Sequence, residues 1–246
     1  MSKKFKLGVV GDPIEHSLSP FIHSRFSRNE NVNINYLAYK VNNDDFDIFI
    51  KEFFQDKQAR GLNITLPHKK RAASLEGKIS QEARYINAVN TIFNDNDNLH
   101  LFSTDGAGFI TDIENKKFSL KNKNILIIGA GAAVESILYR VAIAKPMKIT
   151  IINRTIEKAD RLIRKFGNMT KIKSEVDTDK PFDLVINGSS AGLTGDFFPE
   201  ENIPLTSKTY FYDLNYSLTE TPFCKWAKEK ADNVHDGMGM LVYQAA

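Results

Sequence analysis

Two glycines spaced as Gly129-Ala130-Gly131 follow a short apolar run, Asn124 to Ile128, and lead into Ala132 to Ala144, a stretch of helical composition. Glycines at this spacing let a strand turn tightly into a helix and bring the backbone close to a bound phosphate. The unpaired N–H groups and the dipole at the start of that helix favour an anion. A second apolar run, Lys148 to Ile152, completes a βαβ unit of about 30 residues, the size of such a crossover. A dinucleotide is therefore expected on Gly129, Ala130, Gly131, Ala132 and Ala133. The full GxGxxG pattern fails at Val134, so the loop alone reads equally as a tight strand-to-helix turn. Asn153-Arg154-Thr155, at the end of the second strand, tips the balance. An acidic residue there would serve the ribose hydroxyls of NAD and repel a 2′-phosphate, whereas Arg pairs with that phosphate and Asn and Thr donate hydrogen bonds. The expectation is NADP, although a lone Arg after a strand is more often a solvated charge.

The front half of the chain offers hydroxyls, amides, a lysine and an aspartate. Ser17 and Ser19 stand close together in His16-Ser17-Leu18-Ser19-Pro20. Ser19 followed by Pro20 fits an N-cap and first helical position, which accounts for Ser19 but not for Ser17. Two such hydroxyls at the mouth of an α/β unit suit a small polyhydroxylated or carboxylate ligand. Pro67 is placed to begin a helix, so Lys69 falls in its first turn, where the dipole disfavours a cation. An unfavourable place for a surface lysine is a small hint of use. Asn90 interrupts the strand-like run Val89 to Asn94, where Asn is depleted, so it either satisfies a buried backbone group or faces a ligand. Asp105 reads first as the cap of the helix that follows it.

The elements that must carry these residues alternate between strand and helix. Lys6 to Val10, Asn35 to Val41, Gly61 to Thr65, Val89 to Asn94 and Leu99 to Ser103 read as strands, the last two joined by the polar turn Asn94 to Asn98. Asp44 to Phe54 places Phe46, Phe49, Ile50 and Phe53 on one helical face, an aromatic stripe that belongs to a core and not to a cofactor. A helix from about Gly108 to Asn115 leads into the dinucleotide unit, and a domain boundary falls near Asp105. Beyond Thr155 come a helix from Glu157 to Phe166 and strands Pro181 to Asn187 and Tyr210 to Leu214, the first closed by Gly188 to Gly192. A helix then opens at Thr221-Pro222, and a final apolar segment runs from Asp236 to Ala246. The alternation predicts an α/β protein of two domains.

Composition narrows the function classes. A chain of 246 residues can bury a sizeable core in one large or two medium domains, and 42% apolar with 26% charged residues is ordinary for a globular protein. Thirty-three Lys plus Arg against 30 Asp plus Glu leave +3, too mild and too scattered to argue for nucleic acid. Cys224 is the single cysteine, so neither an intrachain disulfide nor a thiolate zinc site can form, and the five histidines make no ligand motif. Met1 to Lys6 carries no apolar leader, and no stretch of about 18 apolar residues occurs. The expectation is a cytoplasmic protein without metal or membrane contact; a homodimer is compatible with the sequence.

Taken together, the segments resemble the shikimate dehydrogenase family along essentially the whole chain. The resemblance is carried by GDPIEHSLSPFIH (Gly11 to His23), GLNITLPHK (Gly61 to Lys69), INAVNT (Ile86 to Thr91), STDGAG (Ser103 to Gly108), GAGAA (Gly129 to Ala133), NRT (Asn153 to Thr155) and DGMGMLVYQAA (Asp236 to Ala246). It implies NADPH-dependent reduction of 3-dehydroshikimate to shikimate, in an active-site cleft between an N-terminal α/β substrate domain and a C-terminal Rossmann-type domain. It further implies residues 1–104 as the substrate domain, joined by residues 237–246, and residues 105–236 as the dinucleotide domain. Substrate contacts implied by it are Ser17, Ser19, Asn63, Thr65, Lys69, Asn90, Asp105, Tyr216 and Gln244. Asn187, Ser189, Leu214 and Gly237 join the cofactor residues on the same ground. Lys69 and Asp105 are the implied catalytic pair, a lysine ammonium held beside a carboxylate being able to protonate the developing alkoxide.

The chain departs from the family pattern at several points. Ser103 and Ser24 stand where Asn is usual, Ala132 replaces a third glycine, and Gly188-Ser189-Ser190 and Leu218 replace Ala-Thr-Ser and a proline. Glu135 adds a negative charge in the first turn after the phosphate loop, where it would weaken phosphate binding unless it points to solvent. Family members usually continue past Gln-Ala-Ala with helices on the substrate domain; without them Met240 to Tyr243 would be poorly covered. Rival readings are a quinate or shikimate dehydrogenase, which would often favour NAD, and a non-catalytic NADP sensor, which has no need of both Lys69 and Asp105.

Overall fold

The structure, a computed structural model, describes residues 4–191, 197 and 202–246. Met1 to Lys3 and Gly192 therefore lie outside the described residues. Its contacts divide the chain into two units, residues 1–104 with 245–246 and residues 105–244.

In the first unit the order is β1 (Phe5–Gly11), α1 (Ser19–Asn29), β2 (Ile34–Lys40), α2 (Phe46–Gln55), β3 (Ala59–Ile64), α3 (Lys69–Ala72), β4 (Lys78–Ile79), α4 (Gln81–Ile86), β5 (Thr91–Asp95) and β6 (Asn98–Phe102). The sheet runs β2-β1-β3-β5-β6-β4, with β1, β2 and β3 parallel and β5 antiparallel to both neighbours. Phe46, Ile50 and Phe53 of α2 are buried against Leu62, Ile64, Ile92 and Leu101, so the expected stripe is the core of this unit, with Phe49 packed at its edge. Each such side chain contributes roughly 1.5–3 kcal/mol by leaving water. The polar turn closes β5 onto β6 through Asn96 and Asp97, both at positive φ (49° and 69°), the geometry a two-residue hairpin requires.

The second unit contains α5 (Asp105–Asn115), β7 (Asn124–Ile128), α6 (Ala132–Ile143), β8 (Lys148–Ile152), α7 (Ile156–Phe166), β9 (Ile172–Lys173), β10 (Leu184–Asn187), β11 (Tyr210–Asp213), α8 (Pro222–Lys228), β12 (Val234–His235) and α9 (Met238–Ala245). All strand pairs are parallel and the order is β12-β11-β10-β7-β8-β9. This is the doubly wound arrangement, in which strand order reverses at β7 and ligands lie beyond the carboxyl ends of the strands. The buried runs of β7, β8, β10 and β11 suit a sheet covered on both faces. Residues 237–244 group with this unit, where a Cβ on Gly108 of α5 would lie 2.7 Å from the Gln244 nitrogen. Of the segment Met240 to Tyr243, expected to be poorly covered, Met240 is buried and Tyr243 is exposed.

Several local expectations are corrected. Ser19 is the first residue of α1 and not its N-cap; Leu18 holds that place without a side-chain cap. α3 begins at Lys69, two residues after Pro67, with His68 at its cap. Asn90 precedes β5 instead of lying within a strand, and α5 starts at Asp105, three residues before the expected Gly108. The strand expected from Pro181 begins at Leu184.

Candidate active site

In the first unit the carboxyl ends of β1 and β3 and the start of α1 bring polar side chains into one connected set. Ser17 Oγ accepts the backbone N–H of Ser19 at 3.3 Å, which explains Ser17: it holds the entry to α1 and stays half-buried. The Ser19 hydroxyl bonds to Tyr36 of β2, whose phenol donates to Asn63 Oδ1 at 2.7 Å. Asn63 Nδ2 donates to Thr91 Oγ at 3.3 Å, Thr91 Oγ donates to Asn90 Oδ1 at 3.0 Å, and the Thr104 N–H donates to the same oxygen at 2.9 Å. Asn90, only 3% exposed, thus satisfies a backbone group, one of the two roles open to it. Burial pushes the Tyr36 hydroxyl well above its usual range, so it stays protonated as a donor. His23 stacks on Tyr36 at 4.1 Å and 12° and bonds to Asn63; burial lowers its pKa to about 4, so the imidazole is neutral near pH 7.

Thr65 and Lys69 are half-buried on the segment that follows β3. The Thr65 N–H donates to Val10 O of β1 at 2.9 Å and the Val89 N–H, in the loop before β5, to Lys69 O at 2.9 Å, so the backbone is held both before and at Lys69. His68, fully buried, stacks on Phe46 and reaches Val41 O at 2.7 Å, anchoring the same segment from below. Six of the expected residues, Ser17, Ser19, Asn63, Thr65, Lys69 and Asn90, therefore belong to this unit. Tyr36, His23, Thr91 and Thr104 join them although the sequence reading did not single them out. Tyr36 sits in an alternating strand where nothing marks its hydroxyl as different from those of other core tyrosines.

The second unit carries the phosphate loop. Gly129, at φ +108°, lies against another loop: a Cβ there would be 2.8 Å from Gly188 C and Ser189 N. At Gly131 a Cβ would meet nothing within 4 Å, and Gly131, Ala132 and Ala133 are exposed at the uncapped start of α6. Open backbone at the head of a 12-residue helix is a cradle for a phosphate group. Asn153 Nδ2 donates to Thr155 O at 2.7 Å, which shapes the turn after β8. Arg154 is exposed and makes no ion pair with the described residues, so its guanidinium is available to a second phosphate. Glu135 does not point to solvent: it is buried, with Arg161 at 3.0 Å and Lys165 at 2.8 Å. Its charge is neutralised, and the donor set fits a dinucleotide bearing an extra phosphate.

At the carboxyl ends of β10 and β11 a buried carboxylate gathers the remaining residues. Asp213 accepts from Asn187 Nδ2 at 2.9 Å, from Asn215 N and Nδ2 at 3.0 Å each, and from Thr221 Oγ at 2.7 Å. Burial raises its pKa while those donors oppose the rise. Asn187 Oδ1 in turn holds Ser189 through its N–H (3.1 Å) and hydroxyl (2.8 Å), and Leu214 N donates to Asn187 O at 2.7 Å. Gly237 N donates to Asn215 O at 2.9 Å. Asn187, Ser189, Leu214 and Gly237 are thus brought together, around an Asp213 and an Asn215 that the sequence reading passed over. Tyr216 is partly exposed just beyond them, Asp105 is buried in the first turn of α5, and Gln244 is half-buried on α9 with Nε2 donating to Leu241 O at 3.0 Å. Among the described residues no cluster of His, Cys, Asp and Glu could hold a metal ion, and no helix is long and apolar enough to cross a membrane.

A doubly wound sheet with an open phosphate loop, next in sequence to a unit lined with hydroxyls and amides, defines a dinucleotide-binding α/β protein of the oxidoreductase kind. The family patterns are specific: that of the shikimate dehydrogenase substrate binding domain matches residues 9–92, and that of shikimate / quinate 5-dehydrogenase matches residues 112–193. The chain belongs to the shikimate dehydrogenase family. Shikimate dehydrogenase (NADP(+)) of Hahella chejuensis is 38% identical over 242 residues, 97% of this chain and 89% of the relative. The enzyme of the same name from Legionella pneumophila is 39% identical over 246 residues, 98% and 90% of the two chains. The solved structure of shikimate 5-dehydrogenase from Thermus thermophilus, in complex with NADP(H) and shikimate, is similar with a TM-score of 0.85 and 29% identity over 98% of this chain and 90% of that one.

Proposed function

We propose that this protein is an NADP-dependent shikimate dehydrogenase, which reversibly reduces 3-dehydroshikimate to shikimate. The observation that carries the reading is the similarity to shikimate dehydrogenases (NADP(+)) over nearly the whole of both chains. In residues the proposal is as follows. Residues 1–104 bind the substrate, with Gln244 from the 237–246 segment, and residues 105–236 bind the dinucleotide. Bound NADPH supplies the hydride. Ser17, Ser19, Asn63, Thr65, Asn90 and Tyr216 meet the hydroxyls and carboxylate of the ring, because each buried polar group left unpaired costs about 1–3 kcal/mol. The half-buried Lys69 delivers the proton to the ketone oxygen, and Asp105 is the accompanying carboxylate. Gly129 to Ala133 receive the pyrophosphate on the head of α6, Arg154 the 2′-phosphate, and the loops tied by Asp213 face the nicotinamide end. A single cysteine, buried at Cys224, suits the reducing cytoplasm.

Initial rates with shikimate or quinate, each with NADP⁺ or NAD⁺, test the proposal. Shikimate with NADP⁺ should be fastest. A faster rate with quinate and NAD⁺ would give the chain to the rival dehydrogenase, and no rate in any of the four to a non-catalytic binder.

A further inference from the structure

Glu135 stands where a phosphate-binding helix should least tolerate a carboxylate, in the first turn of α6. It is 6% exposed, and its two oxygens face Arg161 Nη2 at 3.0 Å and Lys165 Nζ at 2.8 Å, both from α7. The cations are less buried than the carboxylate, with side chains 47% and 25% exposed against 7%. Three charges are drawn together in this way. They also join two helices whose leading ends do different work: α6 follows Gly129 to Gly131, and α7 follows Asn153 to Thr155 directly. Thr155 caps α7 without a side-chain hydrogen bond, and the turn before that helix is held by Asn153 Nδ2 on Thr155 O at 2.7 Å.

We propose that Glu135 is a positioning residue for the dinucleotide, latching α7 onto α6 and thereby setting the span between the pyrophosphate loop and Arg154. The inference rests on the reading of that loop as an NADP site. A ligand with a phosphate at each end of the span feels its length, whereas NAD, lacking the 2′-phosphate, is anchored at one end only. Glu135 is the one buried group of α6 that both α7 cations meet here, so removing it cuts this tie between the helices. The latch and plain electrostatics predict opposite signs. As an isolated negative charge at a helix head, Glu135 would repel phosphate, and its removal would tighten binding.

The test is calorimetric titration of NADP⁺ and NAD⁺ into wild type, Glu135→Gln and Arg161→Gln, with Tm recorded for each. Glu135→Gln should weaken NADP⁺ roughly three- to tenfold, within the range for coupled neighbours, and NAD⁺ less than about twofold. Arg161→Gln, made at the more exposed cation, should give the same selective loss at smaller size, so the test survives if Glu135→Gln folds poorly. Tighter NADP⁺ binding by Glu135→Gln, equal losses for both dinucleotides, or a lower Tm with unchanged affinities would each overturn the latch. Wild-type protein that binds NADP⁺ no better than NAD⁺ would instead overturn the reading of the loop, and the latch with it.

Discussion

Lys69 combines a fixed backbone with a side chain that is only half-buried at the head of α3, its carbonyl accepting the Val89 N–H. A general acid needs that combination, and Lys69→Ala should lower kcat by roughly 10²- to 10⁴-fold with a smaller change in KM. Steady-state kinetics decide it, since an intact kcat with a raised KM would make Lys69 a binding residue. His23 is a second residue with a defined consequence. Its pKa falls from 6.5 to about 4 because burial against Tyr36 penalises the charged ring. Between those values the unfolded chain binds more protons than the folded one, so the neutral ring's contribution is complete above pH 6.5 and is lost as pH falls towards about 4. The full shift corresponds to about 3 kcal/mol, and urea denaturation at pH 7 and pH 5 should show a smaller pH slope in His23→Phe than in wild type. An unchanged slope would remove His23 from the acid sensitivity. Motifs in the sequence single out Ser17, Lys69 and Asp105, and their roles rest on kinetic tests such as the one above. Tyr36, His23 and Asp213 matter through partners distant in the chain, such as Tyr36 with Asn63, and no local pattern records that.

At the level of elements, the loops after β10 and β11 depend on one carboxylate that accepts four hydrogen bonds. Asp213→Asn turns one of its acceptors into a donor facing donors, at about 1–3 kcal/mol for each group left unpaired. A fall in Tm of roughly 3–10 °C is expected by thermal unfolding. A neutral substitution would mean that the loops hold themselves without it. The head of α7 makes a different prediction. Arg154→Ala should raise KM for NADPH and leave NADH nearly untouched, whereas equal losses would take the 2′-phosphate away from Arg154. Elements were legible in proportion to length and periodicity. The α2 stripe was read with its face, though its helix was expected two residues early at the start and one at the end, and the apolar runs of β7 and β8 were read with their ends, because burial imposes those patterns directly. The two-residue strands β4, β9 and β12 were missed, being too short to show any period. Helix starts slipped for a physical reason: Ser19 and Pro20 suit an N-cap and first turn, yet the Ser17 hydroxyl takes the Ser19 N–H and the helix begins one residue early.

For the whole molecule, each sheet gathers its strands in an order different from their order in the chain. The second unit, with a parallel order reversing at β7, puts Gly129, Asn187 and Asp213 at the carboxyl ends of three adjacent strands of one sheet. The first unit is mixed, and its β5–β6 hairpin was visible in the polar turn between two alternating strands. Strand order was not legible, because it is decided by which faces meet across the sheet and not by neighbours in the chain. The family relation supplies the basis for the proposed substrate, which periodicity cannot, and the reaction itself is open to direct observation. NADPH carrying deuterium at both nicotinamide C4 hydrogens, incubated with 3-dehydroshikimate and this protein, reports by mass spectrometry where the hydride goes. The account predicts shikimate heavier by one deuterium on the ring carbon that bore the ketone, and unlabelled shikimate or no shikimate at all would contradict it.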